Sequence, residues 1–240
     1  MALSLFWTPS GKPDAVRIFA AVSLTDSLEE ILDLFEAAHP EVYVVPQLGA
    51  SNDLARQILA GAEAHLFLSA DRAQMDRVEG SIAAGSRRDL LSNRLAVVVA
   101  RTATAAIRGP RDLERAVRIA LADPQAVPAG VYARQYLEKL GLWDRLSSRV
   151  VPTFDARAAL AAVASGNVDA GIVYETDARM EPRVRVAFAV PKEEGPAIVY
   201  HLALMRGANE DARALYLFLL SPGAKAVFER RGFVVLGGEK

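Results

Sequence analysis

"VRIFAAVSLTDSLEEILDLF", residues 16–35, decides how this chain is to be read. It opens with a short apolar run, "VRIFA", of the kind that fills a buried strand. Ser23 then interrupts the run. After it Leu24, Leu28, Ile31, Leu32 and Phe35 fall at i, i+4, i+7, i+8 and i+11, one face of a helix. Ser23 with Asp26 three residues on fits a capping box. The stretch is a strand, a tight turn and an amphipathic helix, the repeating unit of an α/β fold.

The unit recurs along the chain. Strands are expected at 16–20, 42–48, 65–70, 95–100, 118–122, 170–174, 184–190 and 197–205. Helical patterns lie between most of them. Tyr132, Tyr136, Leu137 and Leu140 line one, which stops at Gly141, and "AALAAVASG" (158–166) ends on glycine too. "SPGAKAVFERRG" (221–232) has a serine cap, a proline in its first turn and a closing glycine. Nearly continuous apolar strands alternating with helices predict mainly parallel sheets covered by helices. Two stretches read as crossings between lobes: "RLAVVVAR" (94–101), after an arginine-rich loop, and "IVYHLALMRG" (198–207), after the charged turn "PKEEGP". The pattern alone is compatible with one continuous doubly wound sheet or with two lobes on a two-strand hinge.

Composition removes several functional classes. Of 240 residues 52% are apolar and 24% charged, enough for a substantial core. A net charge of −1 gives no basic footprint for nucleic acid. The absence of cysteine excludes disulfides, thiolate metal sites and a thiol nucleophile. No apolar run reaches the roughly 18–20 residues of a membrane span. His39, His65 and His201 are far apart in different patterns, and no nucleophile elbow, P-loop or dinucleotide fingerprint occurs, so no enzyme is predicted. Residues 1–15 lack the basic start and long apolar run of a signal peptide and read as a leader remnant or a disordered arm. Arg87, Arg88 and Arg94 form a basic cluster read as solvated surface, and Tyr132, Tyr136 and Trp143 as core.

Four helix starts share one feature. Ser23, Ser51, Pro128-Ala129-Gly130 and Asp155-Ala156-Arg157 each put small residues at a helix entrance that follows a strand. A helix N-terminus offers free N–H groups and about half a positive charge, and it can hold an anion without a lysine or arginine. Small side chains let a ligand approach the backbone. In open α/β sheets ligands sit at the carboxyl ends of strands.

The blocks "FAAVSLTDSLEEI", "GASNDLARQILAGAEAHLFLSADRAQMD", "LLSNRLAVVVAR", "LADPQAVPAGVYARQYLEKLGLWD", "RAALAAVASGNVDAGIVYETDA" and "SPGAKAVFERRGF" are long and collinear. In them the chain resembles the periplasmic molybdate-binding proteins, receptors of molybdate ABC transporters, over about 16–235. The resemblance implies a two-lobe periplasmic binding protein fold of type II. Lobe 1 would be 16–93 plus 203–240, lobe 2 would be 94–202, and a ligand cleft would lie between them. It implies that Ser23, Ser51 and Tyr174 through their hydroxyls, and Ala129 and Ala156 through their N–H groups, bind the oxyanion. The ligand would be molybdate or tungstate, with no cofactor and no side-chain metal ligand. The partner would be a membrane permease, the chain a monomer, and its location periplasmic, with the export signal absent from this chain. A cytoplasmic oxyanion-sensing domain on the same fold is the alternative. Glu175, directly after Tyr174, would weaken an anion site unless its carboxylate points away.

Overall fold

The computed structural model describes residues 15–104 and 106–237. The reading of residues 1–15 as an arm therefore falls, but for Ala15, outside the described residues. In chain order the elements are β1 (Val16–Ala21), α1 (Thr25–Ala38), β2 (Val44–Gly49), α2 (Ser51–Leu59), β3 (Leu66–Ser69), α3 (Arg72–Arg77), β4 (Arg88–Asn93), β5 (Leu95–Ala100), β6 (Ile119–Ala122), α4 (Pro128–Lys139) and α5 (Trp143–Leu146). There follow β7 (Val150–Thr153), α6 (Ala156–Ala164), β8 (Ala170–Tyr174), α7 (Glu175–Met180), β9 (Val184–Ala189), β10 (Ile198–Leu204), α8 (Glu210–Leu219), α9 (Pro222–Arg230) and β11 (Val234–Val235).

The strands form two sheets flanked by helices. One has the order β11-β4-β10-β3-β1-β2, the other β7-β6-β8-β5-β9. Each is mixed. The expected parallel units are present as β2-β1-β3 and β7-β6-β8. The strands next to the crossings, β4, β10, β5 and β9, pair antiparallel. The chain passes from the first sheet to the second between Asn93 and Leu95, and back between Ala189 and Ile198.

Two differences from the sequence reading follow from burial. Residues 88–93, the end of what was expected as an arginine-rich loop, are strand β4: Leu90 and Leu91 are buried while Arg88 is exposed. The first sheet takes in β10 from Ile198, ahead of the boundary expected at 203. Apart from His201 the run stays apolar through Tyr200, Leu202 and Leu204, so hydropathy gives no mark of the crossing.

Helices are placed by their apolar faces. Leu28, Ile31, Leu32 and Phe35 of α1 are buried, as the spacing predicts. At the entrance of α4 packing is closest: a Cβ on Gly130 would stand 2.0 Å from the carbonyl oxygen of Ala122. Only glycine lets the first turn of α4 lie against the end of β6.

Candidate functional site

The ends of β1, β2 and β8, the residue after β3 and the starts of α4 and α6 meet at a small cavity, with about 20 Å³ of room for the centre of a water-sized sphere. All five positions expected to contact an oxyanion, Ser23, Ser51, Ala129, Ala156 and Tyr174, line it. They come from both sheets.

Each reaches the cavity by a local device. Ser23 lies inside a 3-10 turn, Val22–Leu24, that runs straight into α1. The predicted capping box does not form: Leu24 is the N-cap of α1 and no side chain caps it. The first α1 N–H is met instead by Val22 O within the turn, so the Ser23 hydroxyl is not spent on the helix. Ser51 is the first residue of α2 and is likewise not a cap; its Oγ accepts from Ala70 N–H at 2.9 Å. Ala129 and Ala156 stand in the first turns of α4 and α6, where N–H groups have no acceptor within the helix. Tyr174 ends β8. Its buried hydroxyl has no hydrogen-bond partner among the described residues. Burial pushes that hydroxyl well above the usual tyrosine range, so it keeps its proton and can donate.

Among the described residues lining the cavity there is no lysine or arginine. Asp155 is the one ionisable carboxylate there, and its Oδ1 accepts from Ala158 N–H at 2.8 Å as the cap of α6. Glu175 points away. It pairs with Arg94 and lies 3.0 Å from Arg179, on the far side by a larger cavity of about 500 Å³ next to the crossings. Those arginines hold its carboxyl below the usual range, Arg94 most of all. The charge that follows Tyr174 is thus neutralised at a distance from the small cavity.

Contacts between the two sheets surround the site. Arg157, next to Ala156, pairs with Asp26 of α1 and lies 2.7 Å from Asp177 of α7. Asn93 Nδ2 donates to Thr176 Oγ1 at 2.9 Å. Tyr132, expected as plain core, also directs its hydroxyl at Ala70 O, 3.4 Å away. Tyr136 is core as expected. Asp26, Arg157, Asn93 and Tyr200 were not among the expected site residues. Pairings across 83 to 177 residues leave no local pattern to read.

The other tempting residues stay apart. His65 accepts from the backbone of Arg17, while His201 is buried 2.7 Å from Asp89. Among the described residues no cluster of histidine and carboxylate side chains could hold a metal, and no helix is long and apolar enough to cross a membrane. Arg87, expected as solvated, is half-buried and paired with the exposed Asp76 and Glu79.

A profile of bacterial extracellular solute-binding proteins matches residues 16–234. The chain is 37% identical to the molybdate-binding protein ModA of Escherichia coli, covering 92% of this chain and 89% of that one. It is 31% identical to ModA of Haemophilus influenzae, covering 91% and 89%. Among solved structures it superposes on the periplasmic molybdate-binding protein of Azotobacter vinelandii with a TM-score of 0.81 at 23% identity, over 92% of this chain and all of that one. The sulfate-binding protein SubI of Mycobacterium tuberculosis gives 0.80 at 19%, over 91% and 86%. These two likenesses concern the fold.

Proposed function

We propose that this chain, which belongs to the bacterial extracellular solute-binding proteins, captures a proton-free tetrahedral oxyanion, molybdate and also tungstate, and delivers it to the permease of an ABC transporter. It is a binding protein and not an enzyme. The oxyanion is its ligand rather than a cofactor.

One observation carries the reading: five donor positions from both sheets line one cavity that has no cationic side chain. Molybdate near neutral pH presents only acceptors. The Ser23, Ser51 and Tyr174 hydroxyls and the N–H groups at Ala129 and Ala156 all donate. Bonds to a charged acceptor contribute roughly 1.5–3 kcal/mol each. The helix starts add their dipoles without an ion that would have to be desolvated.

The moving parts in this reading are two lobes, each one sheet with its helices. Ser23 and Ser51 belong to the first, and Ala129, Ala156 and Tyr174 to the second, so only the closed form completes the donor set. Binding therefore favours closure in proportion to its differential affinity for that form. A permease that reads the closed outline would receive only loaded protein. The family supports an extracytoplasmic place of action.

Calorimetric titration with molybdate, tungstate, sulfate and phosphate tests the reading. Tight one-to-one binding of molybdate and tungstate is expected. No heat with any of the four, together with an unmoved melting temperature at millimolar ligand, would overturn it.

A further inference from the structure

Ser23 has a neighbour that comes from far along the chain. Its Oγ lies 2.8 Å from the hydroxyl of Tyr200, which is fully buried on β10. Tyr200 Oη lies 3.4 Å from Asn93 Nδ2, and Asn93 stands at the first crossing between the sheets. The row can be given a direction. The backbone N–H of Arg94 donates at 2.8 Å to the other amide atom of Asn93. An N–H cannot donate to an NH₂ group, so that atom is the carbonyl oxygen. The atom facing Tyr200 and Thr176 is then the NH₂, which only donates. Tyr200 Oη accepts from it, and the single Tyr200 proton is left for Ser23. Ser23 Oγ accepts that proton, and its own is left for the cavity.

We propose that Asn93 and Tyr200 are positioning residues that lock the Ser23 hydroxyl as a donor, and so turn the cavity against oxyanions that bring a proton of their own. The inference rests on the oxyanion reading and deepens it. Ser23 keeps a second lone pair, but to accept a ligand proton on it Ser23 would have to turn its own proton off the ligand, and the one partner its Oγ has among the described residues is Tyr200. The Tyr200 proton would then be left buried without an acceptor, since Asn93 offers only N–H there. Burial raises the Tyr200 hydroxyl far above its usual range, which removes ionisation as an escape. Ser51 also accepts from a protein donor, the Ala70 N–H, which leaves its own proton free for the cavity.

The test is displacement titration of molybdate and hydrogenphosphate at pH 8, where both are dianions. Tyr200→Phe keeps the ring that packs on Tyr174 and Phe233 and removes the hydroxyl that holds Ser23 and accepts from Asn93. Asn93→Asp replaces the donor with an acceptor, and its added charge cancels in the ratio of the two affinities. Tyr174→Phe is the comparison for a direct ligand donor. In Tyr200→Phe and Asn93→Asp the preference for molybdate over hydrogenphosphate should narrow by about three- to tenfold, while Tyr174→Phe weakens both anions in parallel. A parallel loss, or no change, in Tyr200→Phe and Asn93→Asp would overturn the lock. Wild-type protein that binds neither anion would fail the oxyanion reading itself, and the lock with it.

Discussion

Arg157 Nε lies 2.7 Å from Asp177 Oδ1, a close ion contact without the alignment of a hydrogen bond, while its other arm pairs with Asp26 of α1. Asp177 is fully buried, so the guanidinium is the main compensation for its charge. The same side chain tethers α1 of one sheet to α6 and α7 of the other, one residue from the Ala156 N–H. Arg157→Gln should therefore act twice. Stability at pH 8 should fall by roughly 2–4 kcal/mol, because a buried carboxylate loses its partner. The loss should shrink at pH 5, where Asp177 takes up a proton instead. Asp26→Asn, which leaves the buried pair intact, should cost little stability and raise the ligand off-rate. Urea unfolding at the two pH values and stopped-flow release check both. An equal loss for Arg157→Gln at pH 5 and pH 8 would contradict the account.

The pH dependence follows from the same carboxylate. Burial raises Asp177 to about 7, against the partial opposing pull of Arg157. Between the ordinary aspartate range and about 7 the folded chain holds a proton that the unfolded chain has lost. Stability from this group therefore falls as pH rises through that window and levels off above it. His201, held below its ordinary range mainly by burial, contributes a slope of the opposite sign. The comparison that isolates Asp177 is thus wild type against Asp177→Asn. The variant's relative stability should rise steadily from pH 5 to about 7, in denaturant titrations at fixed salt. Glu175 and Glu181 are depressed by their arginines, Glu181 to about 2, so their contributions are lost only at more acid pH.

Much of this architecture is legible because its cues are local. The apolar run 16–20, the helical spacing from Leu24 to Phe35 and the small residues at four helix starts each lie within a few positions. Together they locate the strands, the helices and the four helix starts at the cavity, while the choice of Tyr174 and of the single position at each start comes from the family resemblance. What was not legible depends on partners far along the chain. The capping role expected of Ser23 failed because a 3-10 turn replaced the cap, and the Ser51 hydroxyl is held by a donor from Ala70, nineteen residues on. Strand β4 was hidden by Arg87 and Arg88 at its start; the counter-charges of Arg87, Asp76 and Glu79, come from the segment before it. Tyr200 gave no sign of its role, since a tyrosine in an apolar strand reads as core, which it also is.

Gly130 offers a test of how exact the α4 entrance must be. Gly130→Ala would drive a Cβ into the backbone at Ala122 and Asp123, which cannot give way as a side-chain tip would. Overpacking of this kind costs typically about 1–3 kcal/mol, and relief requires α4 to move off β6. The Ala129 N–H would move with it. Melting temperature and molybdate affinity should fall together. A variant of normal stability and affinity would mean that the entrance is looser than the contacts indicate.

Ser51 and Tyr174 separate binding from folding. The Tyr174 hydroxyl has no partner in the described protein, so Tyr174→Phe removes nothing from the unliganded fold and spares it a buried unsatisfied group. Its unliganded stability should hold or rise, while oxyanion affinity drops by roughly 1.5–3 kcal/mol, the worth of one bond to a charged acceptor. Ser51→Ala should lose a similar amount of affinity. It also leaves the buried Ala70 N–H without its acceptor, at a cost of about 1–3 kcal/mol to the unliganded fold. Thermal melts without and with saturating molybdate read the two effects apart. For Tyr174→Phe the ligand-induced shift should shrink from an unchanged baseline. For Ser51→Ala the baseline and the shift should both fall. Equal baselines in the two variants would show that the Ala70–Ser51 bond does not hold the unliganded site together.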